Sequence, residues 1–186
     1  MNLPNKLTVF RMILIVPFLV MLLGGNVGWF ESWGPYTDYI ALAIFLIASV
    51  TDWIDGKIAR KYNLITNFGK LMDPIADKLL VCSAMIALVE LERIPAWVVI
   101  ILIGREFLIS GFRLVAATQD VVIAAGYWGK IKTTMQMLMV SLMILNLPGL
   151  QVVTENVMWL ALVLAIISLI DYFAKNGHVL KENDSH

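Results

Sequence analysis

The sequence predicts an all-α integral membrane protein with six transmembrane helices and a polar cavity that faces the cytoplasm. Three values indicate the membrane class: 60% of the residues are apolar, only 15% are charged, and the mean hydropathy is +0.81. An average soluble domain is nearer half apolar and a quarter charged. This composition excludes a disordered chain and argues against a soluble globule. The 186 residues have room for about six spans of ~20 residues with short loops.

Six apolar stretches mark the expected spans, each close to the ~20 residues that a bilayer requires. They are Leu7–Leu23, Tyr36–Ile54, Leu71–Val89, Pro95–Thr118, Tyr127–Leu147 and Thr154–Phe173. No internal repeat, low-complexity tract or soluble domain lies between them, so residues 1–186 are predicted to form a single domain.

The first stretch resembles a signal peptide, because Lys6 and Arg11 precede its apolar core. It lacks the small-residue cleavage pattern, and we expect it to be an uncleaved first helix. Leu3, Leu7 and Phe10 fall at helical spacing, which fits a short interfacial helix ahead of the first span. A frayed terminus is the alternative.

Basic residues predict the orientation of the spans. The segments 24–35, 90–94 and 148–153 contain one of them, Arg93, and the other 13 lie at the termini, in 55–78 or in 105–132. The positive-inside rule therefore places both termini and the basic loops in the cytoplasm. The net charge of zero gives no overall attraction to nucleic acid. The lone Cys82 excludes an intramolecular disulfide and a cysteine-based metal site.

Four carboxylates stand at the cytoplasmic boundary of spans two and three. Asp52 and Asp55 are three residues apart and Asp73 and Asp77 four apart, so each pair shares one face of a helix. Carboxylates are costly at a membrane and are usually functional there. Oxygen-only ligands favour a hard cation, Mg²⁺ first and Mn²⁺ or Ca²⁺ next. Both histidines lie in the C-terminal tail, which disfavours a histidine-type zinc site, although zinc also occupies carboxylate sites.

Simpler explanations exist for single members of this set. Asp73 before Pro74 fits a helix N-cap followed by proline at the first helical position. Ion pairs are the other alternative: Asp52 with Arg60, and Asp55 with Lys57 or Lys61. Neither explanation accounts for all four carboxylates at paired spacing.

Small and basic residues beside the carboxylates suggest a phosphate ligand. Gly56 and Ala59 leave a backbone-lined surface next to Asp55, with helix packing as the alternative. Arg60 offers a planar fork for a phosphate group.

Eight positions match the CDP-alcohol phosphotransferase signature, DxxDGxxAR, eight residues, then GxxxDxxxD. They are Asp52, Asp55, Gly56, Ala59, Arg60, Gly69, Asp73 and Asp77. The chain therefore resembles that family, which implies a six-helix membrane enzyme, often a homodimer. Such enzymes use divalent cations, here expected to be two, to transfer a phosphatidyl or phospho-alcohol group from a CDP carrier to an alcohol, and they release CMP.

The resemblance also implies roles for the signature residues. All four aspartates are expected to bind metal, and Asp77 is expected to act as the general base. The residues expected along the CDP are Asp52, Gly56, Ala59, Arg60 and Gly69.

Flanking segments narrow the resemblance. NLPNKLTVFR, GREFLISGFRLVAA and GKIKTTMQ are similar to bacterial members that transfer the phosphatidyl group of CDP-diacylglycerol to glycerol 3-phosphate. The expected location is then the bacterial inner membrane, with the active site cytoplasmic. Another acceptor is the alternative within the family: a second phosphatidylglycerol, serine or an inositol phosphate. A magnesium-dependent membrane prenyltransferase and a divalent-cation transporter are alternatives from other classes.

Four basic residues are predicted to bind the phosphate of the acceptor: Arg105, Arg113, Lys130 and Lys132. The two arginines are eight residues apart, about 12 Å along one helix face. Snorkelling to lipid headgroups is the alternative for Arg113 and the two lysines. For Arg105 the alternative is an ion pair with Glu106 or Asp52. Thr133 and Gln136 are expected either to orient the acceptor or to link helices.

Overall fold

The computed structural model describes residues 3–25, 28–34, 36–61, 67–118 and 126–176. These ranges contain a short 3₁₀ helix, Glu31–Trp33, and six α-helices: α1 (Leu3–Gly24), α2 (Tyr36–Lys61), α3 (Asn67–Glu90), α4 (Ala96–Thr118), α5 (Tyr127–Leu145) and α6 (Gln151–Asn176). No strand occurs within them. The predicted all-α class is confirmed, and each predicted span coincides with one helix.

The helices have membrane dimensions. They contain from 19 residues in α5 to 26 in α2 and α6, about 28 to 39 Å at the α-helical rise, against a hydrocarbon core of ~30 Å. By length and composition, two of the described helices are apolar enough to cross a membrane: Asn5–Gly24 and Gln151–Asn176. Helices α2 to α5 combine their apolar runs with the charged residues of the candidate sites.

Helix α1 is one continuous helix from Leu3 to Gly24, with Pro17 inside it. The separate interfacial helix expected ahead of the first span is therefore not seen, because its residues form the first turns of α1. The alternative of a frayed terminus does not apply from Leu3 onward either.

The chain divides into two compact units, of which the first comprises Met1–Pro95 and Val140–Pro148. Helix α1 packs along both α2 and α3, and α2 also contacts α3. One stripe of α1 is buried, and Phe18 on it meets Phe45 of α2 with ring centroids 5.8 Å apart. Ala41 and Ala48 are fully buried on α2, and such small side chains let helices approach closely.

Arg93 ties together one end of this first unit. It follows α3, donates to Asp38 Oδ2 at 2.8 Å near the start of α2, and donates to the Ile144 carbonyl at 3.0 Å near the end of α5. Because the end of α3 meets the start of α2, these two helices run antiparallel.

The second unit comprises Ala96–Met139 and Gly149–His186. In it α4 and α6 lie side by side and run parallel. Trp97 meets Trp159 at 5.7 Å between ring centroids, and Phe112 meets Tyr172 at 5.4 Å. Between these levels Arg105 of α4 donates to Ser168 Oγ of α6. Two even-numbered spans of a six-helix membrane protein cross the membrane in the same direction, so a parallel course of α4 and α6 is expected.

Candidate active site

The aspartates lie at similar distances from the joined ends of two antiparallel helices of the first unit. Asp55 is six residues before the end of α2 and Asp73 six residues after the start of α3, about 9 Å from those ends. Asp52 is nine residues before the end of α2 and Asp77 ten after the start of α3, about 14 to 15 Å along. Since only residues 62–66 connect α2 to α3, both pairs belong to the same end of this hairpin.

Asp52 is held by a residue of α1. Arg11 donates from Nη1 to Asp52 Oδ1, and the arginine side chain is completely buried while that of Asp52 is 36% exposed. The guanidinium therefore reaches the carboxylate from inside the unit, and the other side of the carboxylate stays accessible. Asp52 thus forms an ion pair with Arg11, which is 41 residues away. The predicted alternative partner of Asp52, Arg60, has a side chain outside the described part of the chain.

Sequence reasoning missed Arg11 as a site residue. It stands near the start of an apolar run, where a basic residue normally flanks a span, so it was assigned to the flank. The sequence does contain a pattern that indicates this role. Asn5, Thr8 and Arg11 fall at helical spacing, and Ile15 lies on the same helix face. All four are buried in the structure. A polar stripe that leads into an apolar one indicates a helix face directed at a polar site.

A cationic cluster occupies the middle of the second unit. Glu106 of α4 accepts from Arg105 Nη1 at 3.0 Å and also from Lys132 Nζ of α5. Arg105 Nη2 donates to Ser168 Oγ of α6 at 2.6 Å. Arg105 is 8% exposed and Lys132 is 1% exposed, so neither side chain snorkels. With two cations and one carboxylate, these three residues carry a net charge of +1.

The cluster contains an unused donor. Arg105 Nε is buried and has no hydrogen-bond partner in the described part of the chain. Buried polar groups are nearly always paired, and a positively charged donor is especially costly to leave unpaired. A ligand with an anionic oxygen would satisfy it.

The remaining predicted acceptor residues have different surroundings. Arg113 is exposed on α4, and its guanidinium carbon lies 5.8 Å from the ring centroid of Tyr172, within cation–π range. Lys130 is exposed at the start of α5. The Thr133 hydroxyl donates to the Gly129 carbonyl of its own helix at 2.9 Å, and Gln136 is 3% exposed. The structure thus joins Arg105 and Lys132 through Glu106 and gives Arg113 a separate aromatic contact.

Comparison with known proteins decides the family. The sequence model of the CDP-alcohol phosphatidyltransferases matches residues 1–167. The chain belongs to the CDP-alcohol phosphatidyltransferase family. The resemblance that the signature indicated is therefore confirmed, and the protein is a membrane enzyme of this class.

The similarity to bacterial proteins extends over nearly the whole chain. A Bacillus subtilis protein named CDP-diacylglycerol–glycerol-3-phosphate 3-phosphatidyltransferase is 43% identical and covers 98% of this chain and 99% of its own length. A Rickettsia typhi protein of the same name is 39% identical, with 92% of this chain and 95% of its own length covered. A Mycobacterium tuberculosis protein named probable phosphatidylglycerophosphate synthase is 39% identical over 94% of this chain and 81% of its own length.

The eight fixed positions of the family signature all lie in helical backbone. Asp52 and Asp77 are described with their side chains, in α2 and α3. The other six signature residues lie outside the described side chains: Asp55, Gly56, Ala59, Arg60, Gly69 and Asp73. The alternative pairings of Asp55 with Lys57 or Lys61 fall there too. Helix α3 begins at Asn67, so the N-cap alternative for Asp73 is wrong: Asp73 lies in the second turn of the helix.

The donor set fits a hard divalent cation. Asp52 and Asp77 carry carboxylates at similar distances from the joined ends of α2 and α3, and the Asp52 side chain is 36% exposed although Arg11 binds Oδ1. Mg²⁺ prefers such ligands. Among the described residues there is no group of three or more histidine, cysteine or acidic side chains that could hold a metal ion. The predicted four-aspartate site also needs Asp55 and Asp73, whose side chains lie outside the described part of the chain.

Proposed function

We propose that the protein transfers the phosphatidyl group of CDP-diacylglycerol to glycerol 3-phosphate, giving phosphatidylglycerophosphate and CMP. The observation that carries this proposal is the complete signature on the α2–α3 hairpin, in a chain that matches 3-phosphatidyltransferases over almost its entire length. A membrane enzyme suits the reaction, because the acyl chains of the donor remain in the bilayer while its head group and the acceptor are aqueous.

The reaction is a displacement at the phosphorus atom that bears the diacylglycerol. The acceptor hydroxyl oxygen forms a bond to this phosphorus, the bond from phosphorus to the CMP oxygen breaks, and CMP leaves with that electron pair. We assign Asp77 as the general base that takes the hydroxyl proton, a role that typically contributes 10²–10⁴-fold to the rate. The residues that we assign to the CDP portion of the donor are Asp52, Gly56, Ala59, Arg60 and Gly69.

We assign Asp52, Asp55 and Asp73 as the principal ligands of the divalent cation, with Asp77 as a further ligand. Mg²⁺ is our choice over Mn²⁺ or zinc, and two ions are expected. When bound, the cation supplies Lewis-acid stabilisation of negative charge on phosphate oxygens. The carboxylates of α2 and α3 offset its charge, and Arg11 fixes one of them from the buried side.

The second unit supplies the acceptor site in this proposal. Arg105 and Lys132 bind the phosphate of glycerol 3-phosphate, and Glu106 holds their side chains next to each other. The net charge of +1 and the unused Arg105 Nε favour an anionic acceptor over a neutral alcohol such as a free polyol. Arg113 and Lys130, which are more exposed, contribute to the same phosphate from the rim.

The proposed topology has six spans in the bacterial inner membrane, with both termini, the basic loops and the active site cytoplasmic. Helix lengths support it, as does the parallel course of α4 and α6. Charged residues that pair within a unit, such as Arg105 with Glu106, are typical of membrane bundles with a functional interior. A single domain over residues 1–186, a cytoplasm-facing polar cavity and a homodimer remain predictions.

A panel of acceptors tests the function. Purified protein in detergent receives CDP-diacylglycerol with Mg²⁺ and, separately, glycerol 3-phosphate, phosphatidylglycerol, serine or inositol phosphate, and CMP release is measured. We expect release with glycerol 3-phosphate at least tenfold above the other acceptors. Preferential use of another acceptor would reassign the protein within its family.

A further inference from the structure

We propose that Arg11 is a positioning residue of the carboxylate site, which fixes the orientation of Asp52 for cation binding. This inference rests on the proposed role of Asp52 as a metal ligand. It adds α1 to α2 and α3 as a third helix that contributes a residue to the site. The contact that carries it is the bond from the fully buried Arg11 Nη1 to Asp52 Oδ1.

The location of Arg11 follows from how α1 is packed. Helix α1 lies against both helices that carry the aspartates, and its buried stripe is polar only at one end. Asn5, Thr8 and Arg11 form that end, and beyond Ile15 the stripe is apolar. The polar end is the one that meets Asp52, so the polarity of α1 matches the polarity of the carboxylate site.

Stability alone does not explain a buried arginine here. Enclosing a guanidinium in an apolar bundle carries a desolvation penalty, and replacing a buried ion pair with well-packed apolar residues is often neutral or stabilising. An apolar residue at position 11 would continue the stripe of Ile15 and Phe18. The arginine is instead bonded to the first aspartate of the signature, which indicates a role in the site.

Two effects on Asp52 follow from the contact. The guanidinium binds Oδ1 and restrains rotation of the carboxylate, whose side chain is 36% exposed. It also places a positive charge beside the site, which by itself opposes a cation, so the predicted gain in cation affinity comes from the orientation of the carboxylate. Partners of this kind, one shell outside the metal ligands, typically change metal affinity 10- to 100-fold when mutated.

A matched control exists in the same unit. Arg93 also pairs with an aspartate of α2, Asp38, and both side chains are largely buried at 15% and 18% exposure. Asp38 lies 14 residues from Asp52 on the same helix, about 21 Å away. R93Q therefore removes a comparable ion pair far from the carboxylate site.

The experiment measures Mn²⁺ binding by electron paramagnetic resonance, with full-length protein in detergent and no lipid substrate. We expect R11Q to weaken Mn²⁺ binding by about 10- to 100-fold, and R93Q to leave it within about twofold, while both lower the thermal midpoint. In a D52N background, R11Q should weaken Mn²⁺ binding by less than a further factor of about two, since Arg11 acts through Asp52.

Three results would overturn the inference: R11Q binding Mn²⁺ like R93Q, R11Q keeping its full effect in the D52N background, or wild-type protein binding no Mn²⁺. If R11Q does not fold, R11K, which keeps the charge but not the planar fork, is compared with R93K, and equal Mn²⁺ affinities count against the inference. Wild-type protein that binds Mn²⁺ in an Arg11-dependent way but transfers no phosphatidyl group would refute the proposed function alone.

Discussion

Lys132 and Lys130 provide a direct test of the acceptor site, because they are two residues apart on α5 and have opposite surroundings. Lys132 is 1% exposed and donates to Glu106, whereas Lys130 is exposed. We predict that K132M raises the KM for glycerol 3-phosphate strongly. K130M, which removes a solvent-exposed charge at the rim of the same site, should raise it by at most about fivefold.

The size of the effect follows from the bond that is lost. A hydrogen bond to a charged group contributes ~1.5–3 kcal/mol, which corresponds to roughly 10- to 150-fold in KM. The fold should tolerate the change, because Glu106 keeps its contact with Arg105 Nη1 at 3.0 Å. Glu106 is therefore not left without a cation, and methionine fills much of the volume of the lysine stem.

The assay measures initial rates of CMP release while each substrate is varied in turn. K132M should raise the KM for glycerol 3-phosphate and leave that for CDP-diacylglycerol within about threefold. Equal increases for both substrates would indicate a general structural defect. An unchanged acceptor KM in K132M would refute the assignment of this cluster to the acceptor phosphate.

Four further predictions concern the carboxylates, the rim of the acceptor site and the topology. D77N should lower kcat by about 10²–10⁴-fold because an amide cannot accept the hydroxyl proton; near-normal turnover at saturating Mg²⁺ would reject Asp77 as the base. D55N should weaken cation binding and recover part of its activity as Mg²⁺ is raised, since a neutral oxygen replaces an anionic one; loss that no Mg²⁺ concentration relieves would speak against a ligand role. R113A should raise the KM for glycerol 3-phosphate about 10- to 100-fold and change the KM for CDP-diacylglycerol little. An unchanged KM for glycerol 3-phosphate would support snorkelling of Arg113 to lipid headgroups. A cysteine replacing Tyr62 in a C82S background should resist membrane-impermeant thiol reagents in intact cells, and labelling from outside would defeat the proposed orientation.

Hydropathy located the six α-helices of the described residues, but it did not fix the ends of α2 and α3. The predicted second span ends at Ile54 and the helix continues to Lys61; the predicted third span starts at Leu71 and the helix starts at Asn67. An apolar run shows what can enter a bilayer, whereas a helix ends where its backbone hydrogen bonds end. Five signature residues lie in these extensions beyond the predicted spans, namely Asp55, Gly56, Ala59, Arg60 and Gly69, whereas Asp52, Asp73 and Asp77 lie within the spans.

Local spacing predicted the shared faces of the aspartate pairs but could not give their long-range partners. The Arg105–Glu106 pair was foreseen as an alternative because the residues are adjacent. The contacts from Lys132 to Glu106 and from Arg11 to Asp52 span 26 and 41 residues. The first depends on the contact of α5 with α4, and the second on the packing of α1 against α2. A buried arginine has no sequence signature beyond its place on a helix stripe.

The transfer itself is tested most directly by following both products at once. Purified protein is given CDP-diacylglycerol, Mg²⁺ and isotopically labelled glycerol 3-phosphate, and the label in extracted lipid is compared with the CMP released. We predict equal amounts of labelled phosphatidylglycerophosphate and CMP, with both lost when a chelator removes the cation. CMP release without label in the lipid, or label incorporated without a divalent cation, would contradict the proposed phosphatidyl transfer at the aspartate site.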